Sequence, residues 1–397
     1  MGQPMNNLKK IKKTLDKVKV ESVDLIFTFI LSLIILFGVF MVYEASLVYA
    51  EMVFGDRLHF VKLQLGWSVI GLAGMYFLSK IDLTILRKYV PLIFFAACGF
   101  LMFVLLPTSF APEVYGARRW IILNPEPFPS IPGLGRASFQ PSEFAKLACV
   151  IFFASLLSSE KMKSLPFYKS AFIFTGYLGL VCGLIFLEPN FSTAFILGVI
   201  ILGIYFLSNA SLWYFIIIGP LMALNAAIYA FSSAYRRSRI QTLLSPEDVD
   251  KSGAGYHIRQ VMIALGSGGF FGLGMGQSRQ KYAYLPEVTA DSIFAVIGEE
   301  FGFIGTTLLI VLFGFLLWRG ILIAKKAPDI FSSLLVSGVI LWISVQLLIN
   351  LFAMVRIMPL TGVPLPLISY GGSSTIFMLW ALGLVLNVSR RTKLTNE

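Results

Sequence analysis

The sequence predicts an all-α polytopic membrane protein of about ten transmembrane helices, with a long outer loop between helices 7 and 8. Three observations lead there. Of 397 residues, 57% are hydrophobic and only 13% are charged, about half the charged share of a soluble domain. Apolar runs of roughly 20 residues, the length that crosses a bilayer, recur at 24–43, 60–79, 89–106, 143–158, 170–187, 192–208, 211–231, 292–318, 331–353 and 373–388. The basic residues between these runs alternate in kind from one side to the other.

Mean hydropathy is +0.81 and Phe outnumbers His by 36 to 2, which excludes disorder. The net charge of +11 is read as a topology signal, with no nucleic-acid partner. Cys98, Cys149 and Cys182 lie in apolar runs without metal spacing, so they read as packing residues. Met1 to Ser22 is Lys-rich and leads into an apolar run with no small-residue cleavage site. It reads as the flank of a first anchor, not as a removed signal peptide. Residues 1–23 are thus expected as a basic cytoplasmic tail, 24–388 as one membrane domain and 389–397 as a second cytoplasmic tail.

Ten spans put both termini on one side. With that side cytoplasmic, 18 of the 32 basic residues fall inside, Lys outnumbering Arg by 14 to 4. Among the remaining 14, at or near the outer face, Arg outnumbers Lys by 10 to 4. The positive-inside rule treats the two alike, so the outer Arg excess has another cause. Either it serves surface ion pairs, or its planar forks hold an anionic, phosphate-bearing ligand.

Two outer segments are long, about 107–142 and 232–291. In the second, Tyr256 to Leu265 has helical spacing, with Ile258, Val261, Met262 and Leu265 on one face, and suits a helix at the membrane interface. Six glycines follow between Gly266 and Gly276. A dinucleotide fingerprint needs a βαβ frame that is lacking, so they read as a re-entrant segment with close backbone approach. Ser158 to Lys161 spells S-x-x-K, without the companion motifs and on the inner side, and is set aside.

Acidic residues at membrane depth are costly, and functional by default. Glu143 and Lys146 share a helix face at i, i+3; Glu188 precedes Pro189; Asp291 opens a helix, and Glu299 and Glu300 lie two turns further on. Asp291 matches its helix N-terminus electrostatically, yet Ala295, Gly298, Gly302 and Gly305 form a small-residue stripe that would seat it against the bundle. Pro359, Pro364 and Pro366, then Ser369 to Ser374, make an irregular outer segment of the sort tolerated where it lines a cavity.

Several stretches together resemble a known family: Gly116-Ala117-Arg118-Arg119-Trp120-Ile121, Gln140-Pro141-Ser142-Glu143-Phe144-Ala145-Lys146, Gln277 to Lys281 with Tyr284-Leu285-Pro286-Glu287, Asp291 to Glu300, and Pro359 to Ser374. In this order, over nearly the whole chain, they resemble the SEDS peptidoglycan glycosyltransferases, whose branches are FtsW, RodA and the sporulation homologues. The details lean to the FtsW branch. The family commonly writes LPE-x-H-T-D-F where this chain has Glu287, Val288, Thr289, Ala290, Asp291 and Ser292, and QPDLGT where it has Glu188 to Thr193.

The resemblance implies polymerisation of lipid II with inversion at the anomeric carbon, at the outer face of the bacterial cytoplasmic membrane. It implies Asp291 as the catalytic residue, either as base or as ligand of a divalent cation (Mg or Mn), and no organic cofactor. Arg118, Arg119, Glu143, Lys146, Gln280, Lys281, Glu287, Ser369 and Ser373 are the expected substrate-binding residues. A class B penicillin-binding transpeptidase and other division proteins are the implied partners. A lipid II flippase or transporter, and a non-catalytic scaffold of a cell-wall synthase, are the rival readings.

Overall fold

A computed structural model describes residues 23–114, 116–129, 136–208, 211, 213–216, 219–220, 237, 243, 254–282 and 284–392. Its helices are α1 (Leu25–Phe54), α2 (His59–Leu78), α3 (Leu83–Val104), α4 (Pro141–Ser158), α5 (Glu160–Lys163), α6 (Phe167–Leu187), α7 (Phe191–Leu207), α8 (Ala254–Gly268), α9 (Ile293–Lys325), α10 (Ile330–Met354) and α11 (Gly372–Ser389). Eight of these are long and apolar enough to cross a membrane, and α7, at 17 residues, is a shorter apolar helix. Nine of the ten expected spans therefore have a helix. The tenth, 211–231, lies largely outside the described residues, as do most of 232–253, residues 1–22 and residues 393–397.

Local chemistry sets the ends. Asp24 caps α1 by accepting from the Phe27 amide at 2.9 Å, and Gly55, at φ 66°, ends it in the left-handed conformation that glycine adopts without strain. The expected span 24–43 thus runs on to Phe54. Asp82 caps α3 through the Thr84 amide, and Pro141 opens α4 at the position where its missing N–H costs nothing. Asp24 also pairs with Arg319 at 2.8 Å, and its amide donates to Ser389 at 3.3 Å. Both described chain ends therefore sit at one end of the bundle, here called the terminal end; the long connections gather at the opposite, far end.

The helices form a buried centre and a ring. α4, α10 and α11 are mostly buried, whereas α1, α2, α3, α6 and α9 bury only a stripe and turn Leu, Ile and Phe side chains outward. That is the arrangement a lipid-surrounded bundle requires, because lipid tails are as apolar as those side chains. The 107–142 segment carries a two-stranded antiparallel ribbon, β1 (Ile121–Ile122) with β2 (Ser138–Phe139), pairing Ile121 with Phe139, so the far end is not purely helical. A two-residue strand has too short an alternation to be seen in sequence.

The α8 helix forms where its spacing predicts, and Ile258, Val261 and Ala264 face inward. Met262 is exposed, against the expected face. The glycines after it do pack backbone to backbone. α9 breaks at Gly302 (φ 65°, ψ −163°), and the groups released by the break are taken up by the Gly-rich turn. Phe303 and Ile304 amides donate to the Gly269 and Phe270 carbonyls at 2.9 and 3.1 Å, while Leu273 and Gly274 amides donate to the Glu299 and Glu300 carbonyls at 2.9 and 3.1 Å. A side chain at Gly272 would collide with the Glu300 carbonyl oxygen, which is why the approach needs glycine.

The irregular segment 355–371 re-enters the bundle so far that Leu367 meets the middle of α1. A Cβ at Gly38 would overlap the Leu367 carbonyl oxygen and lie 2.9 Å from the Ile368 Cα, both backbone atoms with little freedom to move. Overpacking of this kind costs about 1 to 3 kcal/mol. Gly38→Ala should accordingly lower the melting temperature of the detergent-solubilised protein, and Gly176→Ala, where nothing lies within 4 Å, should leave it unchanged or raise it. Equal melting of Gly38→Ala and wild type would mean that the segment does not dock against α1.

Candidate functional site

The first turn of α4 carries an ion pair. Glu143 Oε1 lies 2.8 Å from Lys146 Nζ, with the side chains only 6% and 2% exposed. Pro141 and the helix geometry put both on one face, one turn apart, and Glu143 in the first turn matches the positive helix end. Lys146 Nζ also donates to Gln346 Oε1 at 3.3 Å and sits 4.9 Å from the centre of the Trp342 ring. The second oxygen, Glu143 Oε2, is buried with no hydrogen-bond partner among the described residues.

Asp291 lies at the start of α9, buried, directly before the fully buried Ser292. Its surroundings come from three separate segments. Asn350 of α10 donates from Nδ2 to the Asp291 carbonyl at 2.9 Å and to the Val363 carbonyl at 2.8 Å. The Ser369 hydroxyl donates to the Ala290 carbonyl, the Tyr370 amide donates to the Thr289 carbonyl at 2.8 Å, and Ser369 Oγ in turn accepts from the Leu365 amide at 2.8 Å. The re-entrant segment is thus stitched to 289–291, and a Cβ on Gly362 would lie 3.9 Å from Asp291 Oδ2. Glu287 and Leu367 hold left-handed backbone, φ 49° and 64°, strain of a kind that gathers at functional sites and that surrounding contacts must hold.

The expected cations divide. Arg119 donates from Nε to the Glu188 carbonyl at 3.2 Å and from Nη2 to the Pro189 carbonyl. Asn190, in the same turn, reaches Ser142 Oγ at 3.5 Å, so Arg119 is tied to the start of α4. Arg118 turns elsewhere, 3.6 Å from Glu113 in a partly exposed pair. Lys281 corrects the sequence expectation. Its ammonium is buried between Glu300 at 2.8 Å and Glu44 at 3.1 Å, which neutralise it, so it is not available for an anion. Burial alone would lower its pKa, but the hydrogen bonds and charges of Glu300 and Glu44 raise it above the ordinary lysine value.

The other expected residues hold backbone or face outward. The Gln280 amide donates to Glu299 Oε2 at 3.3 Å, one of several bonds by which Glu299 clamps 278–280, with the Arg279 amide at 3.1 Å and the Ser278 hydroxyl. Ser373 Oγ accepts from the Gln140 amide at 3.0 Å, and Glu287 is exposed. Ser369 and Ser373 thus fasten the wall around Asp291 and the start of α4. Among the described residues no group of three or more His, Cys, Asp and Glu could hold a metal ion.

Gln346 and Asn350 stand one helical turn apart inside an apolar run, where neutral amides leave no charge signal in the sequence. Glu44 was missed for lack of a local partner. His257, whose Nε2 lies 2.6 Å from Ser292 Oγ, had no signal at all, since 35 residues separate the two.

Removing one partner of a desolvated pair strands a charge, at about 3 to 5 kcal/mol. Lys146→Ala should therefore destabilise the protein by that order, and Glu143→Gln combined with Lys146→Met by much less. Thermal melting in detergent checks both, and equal melting of all three proteins would mark the pair as solvated.

Residues 24–394 match the family model described as cell cycle protein, FtsW/RodA/SpoVE. Stage V sporulation protein E of Bacillus subtilis is 38% identical over 381 residues, covering 94% of this chain and 99% of that protein. The probable peptidoglycan glycosyltransferase FtsW of Trichlorobacter lovleyi is 34% identical, with 94% of each chain covered. The crystal structure of rod shape determining protein RodA from Thermus thermophilus superimposes with a TM-score of 0.67 at 25% identity, over 94% of this chain and 98% of that one. A chain from a structure concerning a peptidoglycan synthase complex that coordinates polymerization and crosslinking gives 0.74 at 24% identity, over 94% and 99%; at that identity it speaks for the fold alone. On the match of the family model and of these relatives, across the buried α4 pair and the Asp291 wall alike, the chain belongs to the FtsW/RodA/SpoVE family.

Proposed function

We propose that this chain is a peptidoglycan glycosyltransferase that polymerises lipid II at the outer face of the bacterial cytoplasmic membrane, for septal wall synthesis in cell division. The observation that carries it is a buried carboxylate and a buried acid–lysine pair, both held by one central helix. The far end of the bundle is then outward and both termini are cytoplasmic, as the Lys-rich terminal-end connections favour. The relative named for sporulation supports a second setting for the same chemistry, wall synthesis in the developing spore.

The 4-hydroxyl of the acceptor sugar attacks C1 of the donor; a new glycosidic bond forms, the bond from C1 to the diphosphate oxygen breaks with inversion, and undecaprenyl diphosphate leaves. Asp291 takes the hydroxyl proton. Arg119, held by the Glu188 and Pro189 carbonyls and close to the buried Glu188 carboxyl, meets the diphosphate with its remaining N–H groups. Arg118, in a weak exposed pair, can exchange Glu113 for the same anion. Glu143 and Lys146 form the floor of the donor site.

Among the described residues no three His, Cys, Asp or Glu side chains gather to hold a resident divalent cation. Mg or Mn would enter on the diphosphate, as such ions commonly do. A class B penicillin-binding transpeptidase is the proposed partner, receiving the glycan strand for crosslinking, with other division proteins around it.

Asp291→Asn is nearly isosteric and removes the base, a loss of about 10² to 10⁴-fold in rate. Polymerisation of lipid II by the purified protein with its transpeptidase partner should fall by that order, while the melting temperature stays close to wild type. A fully active Asp291→Asn protein, or no polymer from wild type, would return the chain to a flippase or scaffold role.

Sidedness has its own check. In a variant lacking Cys98, Cys149 and Cys182, an impermeant thiol reagent added to intact cells should label Tyr284→Cys and not Lys161→Cys. The opposite pattern would invert the topology.

A further inference from the structure

Two side-chain amides deep in α10 touch both halves of the site. Gln346 and Asn350 are 0% and 1% exposed and stand at i, i+4, which puts them on the same helix face one turn apart. Gln346 Oε1 accepts from Lys146 Nζ at 3.3 Å and from Trp342 Nε1 at 2.9 Å, and its Nε2 donates to the Pro364 carbonyl at 3.0 Å. Asn350 Nδ2 donates to the Asp291 and Val363 carbonyls at 2.9 and 2.8 Å. The upper and lower rungs therefore end on consecutive residues, Val363 and Pro364. One rung holds the lysine of the ion pair and the other holds the backbone of Asp291.

A side-chain amide suits both places. Each rung must donate to a carbonyl, which a carboxylate cannot do, and the Gln346 rung must also accept from an ammonium, which a hydrocarbon or a cation cannot do. Elsewhere Lys146 and Asp291 belong to different segments with no hydrogen bond between them among the described residues. Their separation is thus set through α10, by the rise of one helical turn, about 6 Å over four residues.

We propose that Gln346 and Asn350 are positioning residues for glycosyl transfer, an amide ladder that keeps Asp291 in register with the Glu143–Lys146 pair. The proposal rests on the reading of Asp291 as the base. Substrate contact is not required of either amide. The ladder fixes where the proton acceptor stands relative to the donor-site floor, and a misplacement of about 1 Å at a reacting centre costs on the order of 10²-fold in rate.

The test uses the full chain with its transpeptidase partner and lipid II as the probe, comparing Gln346→Leu, Asn350→Leu and the double variant, with Asp291→Asn alongside. Each single change should lower kcat by roughly 10 to 100-fold and leave the KM for lipid II within about twofold, since neither residue touches substrate. Because one register can be lost only once, the double variant should be no worse than the poorer single one, the non-additivity expected of groups acting as a unit. Asn350→Ser, which keeps one donor, should fall between wild type and Asn350→Leu, and it stands in if the leucine variant does not fold. Unchanged kcat in the single variants beside an inactive Asp291→Asn would overturn the ladder alone. So would losses confined to KM or to the yield of folded protein, or losses that multiply in the double variant. An active Asp291→Asn would overturn the reading of Asp291 and the ladder with it.

Discussion

An unpaired carbonyl or N–H inside a bilayer has no water to turn to, and the far end of this bundle is built around that shortage. α9 stops being helical at Gly302 and the chain between α10 and α11 never becomes helical at all. Both interruptions open backbone groups at depth. The first is closed by the Gly-rich turn, whose amides and carbonyls meet the freed ones of α9. The second is closed by Asn350, Gln346, Ser369 and the carbonyls of 289–291. The site is the place where these repairs meet, which is why so many of its polar groups hold backbone.

The charges obey the same economy. A lone ion at this depth is expensive, and the buried cations are paired at once: Lys146 with Glu143, and Lys281 with Glu300 and Glu44. Arg119 is held by two carbonyls, with the buried Glu188 carboxyl close by. Lys281 is suited to holding three segments together.

The residues around Asp291 that depart from the family pattern are placed where the departure matters little to the backbone. Thr289 and Ala290 are tied to the re-entrant segment through their carbonyls, bonds that any side chain at those positions would leave in place. Ser292 differs, since its hydroxyl meets His257 from α8. The pairing joins α8 to the start of α9 next to Asp291, a contact that a phenylalanine there could not make.

Apolar run length, Lys and Arg placement, and the i, i+3 spacing of Glu143 and Lys146 were legible in sequence because each depends on local order alone. Hydrophobic thickness dictates how long a span must be, and helical periodicity dictates which neighbours share a face. The close approach of the Gly-rich stretch was legible too, because few other roles suit six glycines in eleven residues. What tertiary structure alone decided was which polar groups are engaged and with whom. Lys281 and Lys146 look alike in sequence, yet one is enclosed by two acids from α1 and α9, while the other lies against an amide of α10. Asp291 acquires its place from Asn350 and Ser369, 59 and 78 residues further along the chain. Such partners meet only when helices pack, because hydrogen bonding and desolvation depend on distance in space and leave no periodic trace along the chain.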